Sequence, residues 1–180
     1  MRKVDRSKVP VPPCLQNLSI IASSHLLDYS KISNGIYGHA DVKLSLQSLY
    51  YDKCYICECD VSAGKFHVEH YLPKKHFPQF GYTWNNLHKS CEGCNQAKEN
   101  SNFFCVDATG NYTDVKLLDP ASSSYNVSEY LIFDLESVAR PAGIGSDPVI
   151  LQKADNTISK RNVFIKLRKG TKISAKPASH

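Results

Sequence analysis

No run of apolar residues in this chain approaches the roughly 20 needed to cross a bilayer, so a helical membrane span is not expected. The opening MRKVDRSKVPVPPCLQ is basic but has neither an apolar centre nor a small-residue cleavage site, which argues against a secretory signal. No internal repeat is present, so solenoids and propellers are not expected. An even cysteine count is missing too. There are seven, whereas a short secreted chain held by disulfides more often carries an even set. The expectation is zinc bound in a reducing cytoplasm.

What is there belongs to an ordinary soluble domain: 42% apolar and 22% charged residues in 180. That length suits one domain with a sizeable core, or a small module with extensions. The net charge of +5 is unevenly spread. Residues 1–10 carry four basic groups and one acid, residues 153–180 eight and one, and residues 102–152 two against seven acids. Basic ends around an acidic middle fit a polyanion at the ends and a protein partner at the middle, or merely solubilising tails.

Four of the cysteines form two Cys-x-x-Cys pairs, Cys54/Cys57 and Cys91/Cys94, separated by 33 residues. Paired thiolates at this spacing point to one tetrahedral structural zinc. Cys14, Cys59 and Cys105 are left over and read as small, partly buried side chains, with Cys59 near enough to the first pair to be an alternative ligand. Between the pairs lie His67-Val68-Glu69-His70, Pro73 and Trp84-Asn85-Asn86-Leu87; Asn95 and Lys98 follow the last cysteine.

Residues 1–16, with Pro10, Pro12 and Pro13, read as an extended arm. A short helix is expected over 18–29, a turn at Ser33-Asn34-Gly35, and then a helix capped by Asp41 with Val42, Leu46, Leu49 and Tyr50 on its apolar side. Ser62-Ala63-Gly64-Lys65 reads as a turn into a strand, Phe66 to His70. Strand alternation there sets His67 and Glu69 on one face and Val68 and His70 on the other. A loop from Phe77 to Tyr82 and a short helix from Asn95 follow. Farther on, Val115–Leu118 and Tyr130–Phe133 read as strands, Pro141 to Pro148 as a loop, and Ile158–Leu167 as a helix capped by Asn156-Thr157, before a disordered tail. Tyr71, Phe77, Phe80, Tyr82 and Trp84 are expected to form a small core rather than a base-stacking platform.

The order Cys-x-x-Cys, Glu-His-x-x-Pro, Asn-Asn-Leu, Cys-x-x-Cys-Asn-x-x-Lys resembles the zinc-stapled HNH endonucleases over about 47 residues. More narrowly, Val68–Lys74, Trp84–Leu87 and Leu117–Pro120 resemble the HNH subunit of Septu-type anti-phage systems, some of them retron-linked, a weaker likeness that reaches to about residue 168. The resemblance implies an α+β fold: a ββα-metal finger over 54–101 closed by a four-cysteine zinc site, flanked by an arm and helices over 1–53 and a mixed extension over 102–180. It makes His70 the general base, since a neutral imidazole can take a proton from water. Glu69 and Asn95 become hard-oxygen ligands of a catalytic Mg²⁺ or Mn²⁺, and Asn86 the residue that orients the general-base loop. Lys74, Lys98 and His67 become phosphate contacts. Glu69 stands where the family mostly has Asp, and Asn95 where it has its final His. The resemblance also implies an ABC/SMC-type ATPase partner and a nucleic-acid substrate, DNA first and RNA or tRNA second. The competing reading is a non-catalytic zinc-ribbon module that binds nucleic acid or protein.

Overall fold

In the computed structural model, residues 1–16, 18, 28–61, 66–99, 103–133 and 139–170 are described. Most of the expected helix over 18–29, the turn over 62–65 and the tail after 170 lie outside them. Among the described residues α1 (Pro13–Gln16), α2 (Asn34–Tyr37) and α3 (Ala40–Tyr50) lead in. The central unit is β1 (His67–His70), β2 (Leu87–Ser90) and α4 (Glu92–Glu99). Two further antiparallel hairpins follow, β3 (Phe104–Val106) with β4 (Tyr112–Val115), and β5 (Leu131–Phe133) with β6 (Ala139–Pro141). The last described element is α5 (Pro148–Gly170). Among the described residues the result is α+β, with three two-stranded sheets.

Helix α3 forms because Val42, Leu46, Leu49 and Tyr50 recur on one side, and all four are buried. Its cap is not Asp41. The His39 side chain occupies that position, and its Nδ1 accepts the Asp41 backbone N–H at 3.2 Å. The helix ends at Tyr51, whose positive φ of 47° turns the chain toward Cys54. The knuckle then docks on β2, the Tyr55 N–H donating to the Lys89 carbonyl at 2.8 Å.

Strands β1 and β2 pair antiparallel, with Glu69 opposite His88 and His70 opposite Leu87. Both Glu69 and His70 are buried, on opposite faces of a sheet covered on each side. The helix after the second Cys pair starts at Glu92, three residues earlier than expected, so Cys94 and Asn95 lie in its first turns.

Three sequence expectations are corrected by hydrogen bonds. The residues after β4 are not a strand: Leu117 and Leu118 are buried, but their backbone bonds to side chains instead of a ladder. The Tyr71 hydroxyl donates to the Leu117 carbonyl at 2.6 Å, and the Leu118 N–H donates to Thr157 Oγ1 at 2.9 Å. Thr157 is therefore inside α5 rather than capping it. That helix begins ten residues before the expected start, at Pro148, where Asp147 Oδ1 accepts the Val149 and Ile150 N–H groups at 2.8 and 3.2 Å. The N-terminal arm is docked, not extended into solvent. Met1 and Val4 are buried, the Val4 N–H donates to the Pro120 carbonyl, and Arg6 donates to the carbonyls of Trp84 and Leu87 at 2.9 and 2.7 Å. Arg2 and Lys3 likewise bond to carbonyls, of Tyr50 and Tyr125, so much of the positive charge expected to meet a polyanion holds the arm in place. One buried cluster draws side chains from the arm, the central unit and the extension.

Candidate active site and metal centre

The four paired cysteines converge. Cys54, Cys57, Cys91 and Cys94 are all buried, with their sulfur atoms within 4.8 Å of one another. The Cys57–Cys91 separation of 3.8 Å equals the edge of a tetrahedron whose metal–sulfur bonds are about 2.3 Å, the zinc–thiolate length. The Cys94 N–H also donates to Cys91 Sγ at 3.4 Å. Hydrogen bonding among the sulfurs pushes Cys54, through Cys57 first, well below the ordinary thiol range and pushes Cys57, through Cys54 first, above it. These four could hold a structural zinc; Cys59 is half-buried and outside the group of four. Cys14, His39 and Asp41 make a second cluster of possible ligand atoms within 4.8 Å, in which His39 and Asp41 already pair at 3.4 Å.

Beside this centre an open cleft of about 590 Å³ is lined by His67, Glu69, His70, Lys74, Asn95 and Lys98, among others. The fold thus brings together all the expected site residues except Asn86 and the cysteines, which support it from outside. His70 is buried, and its Nε2 lies 2.9 Å from the Gly81 carbonyl. A carbonyl only accepts, so Nε2 carries the proton and Nδ1 keeps the lone pair. Tyr37 stands edge-on to the ring at 4.6 Å. Burial, aided by Lys74 and Lys98 and opposed by the Gly81 hydrogen bond, lowers the imidazole to about 4, so it is neutral at physiological pH.

Asn86 fixes this geometry. Its Oδ1 accepts the Leu72 N–H at 2.7 Å, and its Nδ2 donates to the carbonyls of Leu72 and Phe80 at 2.9 and 3.1 Å. It therefore ties the end of β1 to the loop that presents Gly81. A side chain on Gly81 is not accommodated: a Cβ there would meet Ile32 at 2.5 Å. The carbonyl that holds His70 was invisible to sequence reasoning, because a backbone acceptor leaves no residue signature.

Glu69 is buried, with Oε1 accepting from Lys98 at 2.6 Å and Oε2 from the Tyr55 hydroxyl at 2.9 Å. Burial pushes its carboxyl above the ordinary range, against the pull of Lys98 and Tyr55. The expectation that Lys98 holds phosphate does not fit. Its ammonium is buried and donates to Glu69 and to the carbonyls of His70 and Tyr71 at 2.5 and 2.7 Å, using its three protons. Lys74 stays on the cleft, 3.0 Å from the Tyr37 hydroxyl, and His67 is exposed there. Asn95 is half-buried. Tyr55, whose hydroxyl holds Glu69, was not singled out from the sequence. Among the described residues no helix is long and apolar enough to cross a membrane.

The chain is 36% identical over 73 residues to the Septu protein PtuB of Bacillus thuringiensis. The match covers 39% of this chain and 28% of that protein's length. No family model matches the sequence, and no solved structure matches the chain.

Proposed function

We propose that this chain is a metal-dependent HNH endonuclease, the nuclease component of a Septu-type anti-phage defence system acting with an ATPase partner. The observation that carries the reading is a buried, neutral His70 on an open cleft, its Nε2–H donating to the Gly81 carbonyl and its other nitrogen keeping its lone pair. Glu69 and Asn95 lining the same cleft support it, as does the likeness to the Septu protein PtuB, whose name connects the chain with phage defence.

In the reaction, His70 Nδ1 accepts a proton from water as the water oxygen bonds to phosphorus. The bond from phosphorus to the leaving oxygen breaks, and that oxygen takes up a proton. Glu69 and Asn95 would hold a Mg²⁺ or Mn²⁺, which supplies positive charge to the phosphate and the leaving oxygen. Each Glu69 oxygen carries one hydrogen bond and keeps a further lone pair for that cation, while the Lys98 ammonium at 2.6 Å offsets the carboxylate charge and would have to give way as the cation binds. Asn86 keeps the His70 segment and the Gly81 loop in register. The four cysteines and their zinc hold the knuckle against α4.

The test offers plasmid, single-stranded DNA and tRNA to the full chain with Mg²⁺ or Mn²⁺, alone and with an ATPase of the proposed partner class. Cutting that needs the divalent cation supports the endonuclease. No cutting in any arm would leave the zinc-ribbon binding module as the better reading.

A further inference from the structure

The cleft has an aromatic rim for which hydrolysis has no use. His76 and Phe104 both line it, and Tyr112 stacks on His76 with ring centroids 3.8 Å apart and planes inclined by 32°. Phe104 meets Tyr112 edge-on at 5.2 Å and His76 at 5.5 Å, so the three rings make one cluster. They come from the loop after β1 and from both strands of the β3–β4 hairpin. This is not a core cluster, because Tyr112 is 39% exposed, as is its strand partner Val106 at 54%. The cleft alongside is positive: Lys43 and Lys75 are exposed, Lys74 is half-buried, and the acid lining it, Glu69, is matched by Lys98.

We infer that the His76–Phe104–Tyr112 cluster is a stacking platform for an unpaired nucleobase, so that the site takes single-stranded or splayed-out nucleic acid rather than continuous duplex. The inference rests on the nuclease reading and adds the substrate class to it. In a duplex each base face is covered by its neighbours, and only an unstacked nucleotide presents a π-face to an aromatic side chain. Lysines along the cleft would follow the phosphates while the rings take a base, the combination that single-strand sites use without reading sequence. A docked protein is the alternative occupant; the positive cleft continuous with the rings favours nucleic acid.

The experiment measures binding by fluorescence anisotropy, using the full chain without added divalent cation, so nothing is cut. The probes are a labelled oligothymidylate, a labelled oligouridylate and a duplex of equal length. Wild type is expected to prefer the single strands. Tyr112→Ala should weaken single-strand binding about 5-fold or more while leaving duplex binding and the salt dependence unchanged, and Tyr112→Trp should retain the affinity. Lys75→Ala should instead reduce the salt dependence. Single-strand affinity unchanged in Tyr112→Ala, duplex bound as tightly as single strands, or no binding to any probe would overturn the platform. A wild-type chain that binds single strands through Tyr112 but never cuts, even with Mg²⁺ or Mn²⁺, overturns the nuclease reading alone. Conversely, a chain that cuts duplex equally well with Tyr112 or Ala overturns the platform alone.

Discussion

The proposed hydrolysis turns on how one imidazole is held. An unperturbed histidine is partly protonated near neutrality, whereas His70, lowered to about 4 by burial, stays available as a base well below pH 7. The rate of cutting should therefore be level between about pH 7 and pH 5.5 and lose its general base only near pH 4; an acid limb centred near 6.5 in a pH–rate profile would contradict this. The same shift acts on stability. Because the folded histidine titrates below the unfolded one, only the unfolded chain gains a proton as pH falls from 6.5 toward about 4. Stability is unaffected above that window, falls through it by roughly 3 kcal/mol, and loses nothing more below it. His88, wholly buried, is shifted the same way and adds to the effect. Urea unfolding at pH 7 and pH 5 measures the difference. Asn86→Ala removes three hydrogen bonds and takes the side-chain partner from the half-buried backbone of Leu72, so it should cost about 3 kcal/mol in urea unfolding and reduce cutting by loosening the His70 segment.

At the scale of elements, short strands and a two-turn helix have too little apolar surface to stand alone, and the cysteine cluster supplies the missing restraint. One zinc per chain is expected by elemental analysis. Stripping it with a strong chelator should unfold the 54–99 unit, because a structural zinc binds such thiolate sets with a free energy on the order of 10 kcal/mol. An unchanged circular dichroism melt after complete zinc removal would count against the structural role. This centre was legible in the sequence because two Cys-x-x-Cys pairs restrict the chain so strongly that spacing alone indicates their meeting. The apolar periodicity of α3 was legible for the same kind of reason. The start of α5 was not: Pro148 suits either a loop or a helix N1, and only the Asp147 side chain bonding to Val149 and Ile150 decides between them. Nor was the irregular path of Leu117 and Leu118, whose apolar run suits a strand until Tyr71 and Thr157 take its backbone bonds. Lys98 was misread because the charge partner that buries it, Glu69, lies 29 residues away.

Across the whole molecule, the N-terminal arm, the central unit and the extension share a buried cluster, so the cleft is carried on a framework larger than the ββα unit. Apart from the Phe104 and Tyr112 rings assigned to the platform, the segment over 102–152 is acidic, and its charge suits a protein rather than nucleic acid. Residues 102–168 are accordingly expected to dock on the proposed ATPase partner, and co-expression should copurify the two, with loss of the complex when the extension's exposed acids Glu129 and Asp155 are reversed to lysine. Failure of the wild-type proteins to copurify would sink that expectation. The central claim is the hydrolytic role of His70, and it is tested most directly by comparing wild type with His70→Ala in single-turnover cleavage, with zinc content and circular dichroism measured on the same samples. A fall in rate of about 10²–10⁴-fold with zinc and fold intact is the predicted result. Equal cutting by the two proteins would contradict the assignment.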